Sequence, residues 1–413
     1  MRKLFFFLLL MRAGVSSPAQ TVNEYEADLQ AGQNASFKPE GNWRGVFTIR
    51  PGVEAPFNFE IKNNELYFRN ATESFEGGPV TQRGDSLFIK LDQFDNELAF
   101  HIDNNTLTGV LHRQDGKGQG LPLTAERNTP YRFKPGAEKP AKNITGTYAI
   151  TFTSPNGKEE HSVGIFKQEG AKLTATFLHI TGDSRYLEGT VEADSFRLSS
   201  FIGSGPSLYV GHIEKDGKIE GQNIGARGSQ PFTGIKDSKA ALPDAYTLTA
   251  LKENEKLNFS FPDANGRIVS LKDEKYRNKV VIVTIGGTWC PNCIDETNFL
   301  SPWYAANKAR GIEVISIQYE RQTDTAFTRK VLTRMRDRYN ITYDQVVGGI
   351  ADKQVVAASL PALTTFLSFP TTIFIDRQGK VDKIHTGFNG PATGRYYDEF
   401  KQEFNEEVNK LVK

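Results

Sequence analysis

The hydrophobic pattern of this chain changes its period once, near Lys236, and that change limits what it can fold into. From Asn42 to about Lys236 the apolar residues fall in short, partly alternating runs such as Arg44–Arg50, Phe57–Ile61, Ser86–Leu91 and Glu97–Ile102. Gly, Asn and Asp punctuate them at roughly the 8–12-residue spacing of antiparallel sandwiches and barrels. No segment in this stretch has a helical period. After Lys236, strand-like and helix-like segments alternate, which is the mark of α/β architecture. The pattern predicts a multidomain chain: an all-β region, barrel or sandwich, followed by a C-terminal α/β fold. At 413 residues the chain is too long for one ordinary domain.

The β region carries signs of an internal repeat. Gly41-Asn42-Trp43 and Gly146-Thr147-Tyr148 each place a Gly and an aromatic at the head of a strand. Leu107-Thr108-Gly109 corresponds to Ile219-Glu220-Gly221, and Leu121-Pro122-Leu123 to Gln230-Pro231-Phe232. The offsets are 105, 112 and 109 residues, as a duplication with small insertions would leave. The expected units are 38–134 and 143–240, joined by the polar stretch Asn128–Asn143 with Pro130, Pro135 and Pro140. The third unit is 250–413.

Arg2 and Lys3, the apolar run Leu4–Met11 and the small residues around Ser17-Pro18-Ala19 form an export-signal pattern over 1–19, followed by a polar linker over 20–37. The apolar run is too short to span a bilayer, which takes about 20 residues. A periplasmic or otherwise extracytoplasmic product is therefore expected. With 50 Lys and Arg against 49 Asp and Glu, no long-range field favours a polyanion, and nucleic-acid binding is not expected.

The chain has two cysteines, Cys290 and Cys293, so neither can cross-link distant parts of the fold. Tetrahedral zinc wants four ligands. No second pair exists and no His lies nearby in sequence, so no metal or cofactor is expected. The pair sits where the apolar run Lys279–Ile285 gives way to helical spacing over 291–309. A disulfide-exchange enzyme needs one thiol that ionises readily, and a helix N-terminus stabilises that negative charge. Pro291 suits the first helical position. Cys290 would attack a substrate disulfide, and Cys293, one turn inside, would resolve the mixed disulfide. The remaining elements expected are a hairpin around Asp263–Gly266, a buried strand Ile312–Ile317, a basic helix Ala326–Tyr339, a short helix in Lys353–Leu363, strands Thr371–Asp376 and Gly379–Gly387, and a closing helix Tyr396–Val412.

Residues from about 250 to 413 resemble the TlpA/ResA-like family of extracytoplasmic thiol–disulfide oxidoreductases in the thioredoxin superfamily. The resemblance rests on Phe259–Asp263, Gly266–Leu271, Lys279–Val283, Trp289-Cys290-Pro291-Asn292-Cys293, Glu296, Phe369-Pro370-Thr371 and Ile375–Gly379. It implies a cis peptide before Pro370 and a substrate-contacting surface at Trp289, Phe369, Pro370 and Thr371. It also implies a carboxylate at Glu296 able to raise the thiol pKa values and pass a proton to Cys293. Pro is the first intervening residue of the pair here, not the second as in many members, which leaves the direction of electron flow open. The segment from about Gln322 to Phe366 is longer than a minimal fold needs and reads as a solvated insertion. His385 reads as structural.

The reading that follows is a reductase of protein disulfides recharged by a membrane electron donor. Two others stand beside it. In one, the β region binds a partner or small ligand, with the redox unit as effector; a crevice lined by Trp43, Tyr131 and Phe133 would favour it. In the other, the chain is a peroxiredoxin-like peroxidase. That reading is disfavoured because Thr288 lies two residues before Cys290, not three.

Overall fold

The computed structural model describes residues 37–226 and 228–413. The expected signal over 1–19 and nearly all of the 20–37 linker lie outside them. Eight antiparallel strands, from Gly41–Arg50 to Leu121–Arg127, close into a barrel, with the first strand paired to the last from Trp43↔Arg127 to Phe47↔Leu123. Alternation turns Trp43, Gly45, Phe47 and Ile49 inward. The interior is filled by Trp43, Phe47, Phe57, Phe59 and Phe68, none more than 1% exposed. Gly45 gives way to this packing: a Cβ there would sit 2.3 Å from the Phe57 ring. Trp43 and Phe133 belong to this packed core, while Tyr131 lies beneath the Arg44 guanidinium.

The second unit repeats the plan. Its strands run from Gly146–Thr153 to Gly228–Lys236, and again the first pairs with the last. One short extra strand, Gly182–Asp183, hangs on Lys172–His179. The three sequence correspondences fall on the first, seventh and eighth strands of the two barrels. Trp43 and Tyr148 occupy the same place in their first strands, and both are buried.

The barrels share a joint. The connecting stretch has no regular structure, but it delivers Arg132, 4% exposed, between them. Arg132 donates through Nη1 to Ser199 O at 3.1 Å and through Nη2 to Asn70 Oδ1 at 3.2 Å. Phe201 of the second unit inserts among the rings of Phe47, Phe57 and Phe68 of the first, at 4.7, 5.0 and 4.8 Å between centroids.

The third unit is a thioredoxin-like five-stranded sheet. Its order is Asp344–Ile350, Ile312–Glu320, Val280–Gly286, Thr371–Ile375 and Val381–Thr386. The first three strands are parallel and the last two antiparallel. Every residue of Val280–Gly286 is buried, as a continuous apolar run in a two-faced sheet requires. Helices Pro291–Asn307, Thr325–Tyr339 and Arg395–Leu411 cover one face through Leu300, Met335, Phe400 and Phe404. The hairpin Ser260–Pro262 with Ile268–Ser270, and the helix Lys353–Ser359, cover the other.

One expectation is corrected. The basic helix Thr325–Tyr339 is not a solvated insertion. Arg334 lies 3.4 Å from Asp95 and 3.9 Å from Asp92, Lys330 lies 3.7 Å from Asp95, and Arg338 donates to Glu76 O at 2.7 Å. Its charges meet an acidic turn of the first barrel, which a sequence reading of either segment alone does not reveal.

If Phe201 joins the barrels as its packing indicates, Phe201→Ala should cost about 3–5 kcal/mol, the usual range for emptying an aromatic site in a core. Equilibrium denaturation measures this. A loss near zero would mean that the two barrels do not share a core.

Candidate active site

The buried central strand ends at Gly286, and Gly287 makes the turn into the redox segment. A Cβ at Gly287 would lie 2.6 Å from Tyr319 O and 2.4 Å from the Trp289 indole. Cys290 is the N-cap of Pro291–Asn307, in extended conformation, and its Sγ accepts a hydrogen bond from Cys293 N–H at 3.3 Å. The unsatisfied amides of a helix start thus face this sulfur. Both cysteines are in the thiol form, Cys290 6% and Cys293 3% exposed. Burial, the Cys290 sulfur and the Glu296 charge push the Cys293 thiol well up. A raised Cys293 suits a resolving thiol held protonated until its turn.

Glu296 lies one turn further along, 5% exposed, with its carboxyl accepting from Thr372 Oγ1. Burial pushes it up to about 7, the Thr372 hydrogen bond opposing. The Phe369–Pro370 peptide is cis, and the Cys290 thiol faces Phe369 O at 3.8 Å. Trp289 meets the Phe369 ring edge-on at 5.7 Å and donates through Nε1 to Tyr319 O at 2.9 Å. Trp289, Phe369 and Pro370 therefore surround Cys290. Thr371 does not join them: it is fully buried in the sheet, its hydroxyl turned back to Ser368 O. Its neighbour Thr372, which the sequence did not single out, reaches Glu296.

A second buried carboxylate escaped the sequence reading. Glu320, 1% exposed, accepts from Thr288 N and Thr288 Oγ1, both at 2.8 Å. Burial pushes it up to about 7 against those hydrogen bonds. A Glu at the end of the strand Ile312–Glu320, whose residues are all buried, was the available signal. The Thr288 hydroxyl is committed to this carboxylate.

The site's remaining walls come from the two barrels. With its amide oriented to satisfy both partners, Asn292 donates to Asp183 O at 3.1 Å and accepts from Asp183 N at 2.9 Å. Asp183 also accepts from Gly390 N at 2.6 Å, and Ser368 Oγ donates to Thr181 O at 2.9 Å. Arg185 donates to Pro291 O at 3.2 Å and forms ion pairs with Asp295 and, at 2.6 Å, with Glu73 of the first barrel. Burial pushes Asp295 up to about 6, outweighing Arg185. From the first barrel, Gln93 donates to Thr288 O at 2.7 Å. His385 is buried against Tyr246 and Phe400, away from the thiols, and burial pushes it down to about 4. Among the described residues no group of three or more His, Cys, Asp or Glu side chains could hold a metal, and no helix is long and apolar enough to cross a membrane.

The three acids predict a pH dependence with a definite sign. Between the ordinary carboxyl range and about 6 for Asp295, or about 7 for Glu296 and Glu320, these groups hold protons in the folded chain that the unfolded chain has released. The folded state binds more protons, so stability falls as pH rises through this window, by up to about 1.4 kcal/mol per pH unit per group. Denaturant unfolding at stepped pH measures it. Glu296→Gln should flatten the slope, and a flat wild-type profile would mean that these carboxyls are solvated.

Residues 253–384 match the model of the AhpC/TSA family. The thiol-disulfide oxidoreductase ResA of Halalkalibacterium halodurans is 28% identical over 131 residues, covering 32% of this chain and 66% of that protein. The ResA of Bacillus subtilis is 28% identical over 130 residues, covering 32% and 64%. The chain thus spans just under two thirds of the length of these relatives. Among solved structures, a thioredoxin-family thiol:disulfide interchange protein from Chlorobium tepidum covers 42% of this chain and 100% of its own, at 17% identity and a TM-score of 0.29. A thiol-disulfide oxidoreductase from Bacteroides fragilis covers 35% and 96%, at 20% identity and a TM-score of 0.26. With the strand order, the cysteine pair at the helix start and the cis-proline beside it, the C-terminal region of the chain is similar to the ResA-type thiol-disulfide oxidoreductases and carries a thioredoxin-like fold.

Proposed function

We propose that the protein is a thiol–disulfide oxidoreductase outside the cytoplasm, working as a reductase of disulfides. The observation that carries this is the Cys290 sulfur, set at the helix start against Cys293 N–H and facing Phe369 O beside the cis-proline. The Cys290 thiolate attacks one sulfur of a substrate disulfide, forming a mixed disulfide and releasing a thiol. Glu296, pushed up to about 7 and so partly ionised near neutral pH, takes in its carboxylate form the proton from Cys293 as the latter attacks the Cys290 sulfur. The pair leaves as a disulfide and the substrate as two thiols. A dithiol donor at the membrane recharges the pair. Export is supported by the Arg2-Lys3 and Leu4–Met11 pattern.

The match to the AhpC/TSA model keeps a peroxidase in view. The binding of the Thr288 hydroxyl to Glu320 speaks against it, since that hydroxyl does not serve a peroxide at Cys290. The packed interior of the first barrel speaks against a ligand held inside it, and leaves the barrels' outer surfaces for any partner or ligand.

Cys293→Ala should accumulate mixed disulfides through Cys290, identified by mass spectrometry, and Cys290→Ser should abolish exchange. Failure of Cys293→Ala to capture anything would overturn Cys290 as the attacking thiol. In a redox titration, a potential as positive as about −120 mV would overturn the reductase direction.

A further inference from the structure

The redox pair is covered by its own chain. Cys290 must meet another sulfur, yet it is 6% exposed. The segment Thr181–Arg185 of the second barrel lies across the start of its helix. It is tied there by Asn292 on both polar atoms of the Asp183 backbone, by Gly390 N on the Asp183 carboxylate, by Ser368 on Thr181 O, and by Arg185 on Pro291 O. The cover is seated closely. A Cβ on Gly182 would fall 1.6 Å from the Asn292 amide, one on Gly387 2.6 Å from Ile180 O, and one on Gly390 2.8 Å from Asp295 Oδ2. Three glycines at one joint let the side chains of Asn292 and Asp295 and the backbone of Ile180 come close.

What remains open at Cys290 is a cavity of about 380 Å³. Cys290 and Phe369 form one side of it, and Ser200, Ser204, Ser207 and Tyr209 of the second barrel form part of the other. This is small-ligand size, near the low end of the roughly 300–1,000 Å³ of such sites. The ionisable groups at its margin are already engaged: Arg185 with Asp295 and Glu73, His179 with Glu160 at 3.0 Å, and Asp183 with Gly390 N at 2.6 Å. The lining left for a ligand is rich in hydroxyls, suited to peptide-like amide groups.

We infer that the substrate disulfide is carried on a narrow peptide-like group, either a low-mass disulfide or a flexible chain segment, and that a disulfide set in a folded surface is excluded by the second barrel. This rests on the oxidoreductase reading above and narrows its substrate. The step balances as R–S–S–R plus the Cys290 and Cys293 thiols giving two R–SH and the Cys290–Cys293 disulfide. The pair supplies two electrons and two protons.

The test uses pre-reduced full-length protein in single turnover, so that no donor is needed, with oxidation followed by the fluorescence of Trp289 and its neighbours. Three oxidants are compared: oxidised glutathione, an unstructured peptide joined by a disulfide, and folded insulin. Glutathione or the peptide should react at least about tenfold faster than insulin, because exchange rates follow access to the attacked sulfur. The faster of the two identifies the source. Ser207→Trp should slow both while leaving the reduction potential of the pair unchanged. Arg185→Ala, by loosening the cover, should raise the insulin rate, and the wild-type comparison stands even if that variant does not fold. Insulin reacting as fast as glutathione and the peptide would overturn this inference alone. No reaction with any of the three would overturn the oxidoreductase reading with it.

Discussion

Three units of this chain meet at one buried cation. Arg185 leaves the second barrel, pairs with Glu73 of the first and Asp295 of the redox helix, and donates to Pro291 O at the helix start. Taking such a group out of water is expensive, and a buried pair often contributes little net stability over well-packed apolar residues. What it contributes here is position. A guanidinium can satisfy two carboxylates and a carbonyl only in one arrangement of the three units, so the relative placement of barrels and thiols follows from it. Arg132 between the barrels and Gln93 on Thr288 O fix the same arrangement from other sides.

Adjacent residues of the redox helix then serve separate ends. A helix turns by roughly 100° per residue, so Asp295 and Glu296 face different neighbours. Asp295 faces the joint and Arg185; Glu296 faces the sheet, Thr372 and the resolving thiol. Both carboxyls are pushed upward by burial, yet one is paired across the joint and the other is the base proposed for the Cys293 proton. Glu320 adds a third acid under the Thr288 turn, so the start of the redox helix is supported on protonatable groups.

The parts of the fold that depend on local pattern were legible in the sequence. The strands of both barrels, the helix after Cys290, the buried Val280–Gly286 strand and the Phe369–Pro370 segment each announce themselves within a few residues. The repeat was readable because Gly109 and Gly221 sit at close backbone approaches, and Gly41 and Gly146 at positive φ, that duplication preserved. The joint was not legible. Asp183 and Arg185 look like ordinary turn residues in Thr181-Gly182-Asp183-Ser184-Arg185, and their partners Asn292, Asp295 and Gly390 lie more than 100 residues away. The basic helix Thr325–Tyr339 read as solvated for the same reason, since its acidic counterpart Asp92–Asp95 is in another unit. Thr372 was passed over for Thr371 because alternation along a strand decides which of two neighbours faces the helix, and the register of that strand is set by pairing with Ile285 and Thr284.

The barrels themselves limit what the β region can be for. An eight-stranded barrel can enclose one small ligand or fill its interior with side chains, and the first barrel does the latter with large aromatic rings. Its contribution therefore passes through its exterior. The turn Asp92–Phe94 meets the basic helix and Thr288, and Glu73 meets Arg185. The second barrel faces Cys290 directly, and its short extra strand Gly182–Asp183 is the piece that reaches the redox helix. If the first barrel is a scaffold that fixes the second, the duplicated copy is the one that diverged toward the thiols. The insertion sits where a single added turn changes access to a reacting sulfur while leaving both barrel cores intact.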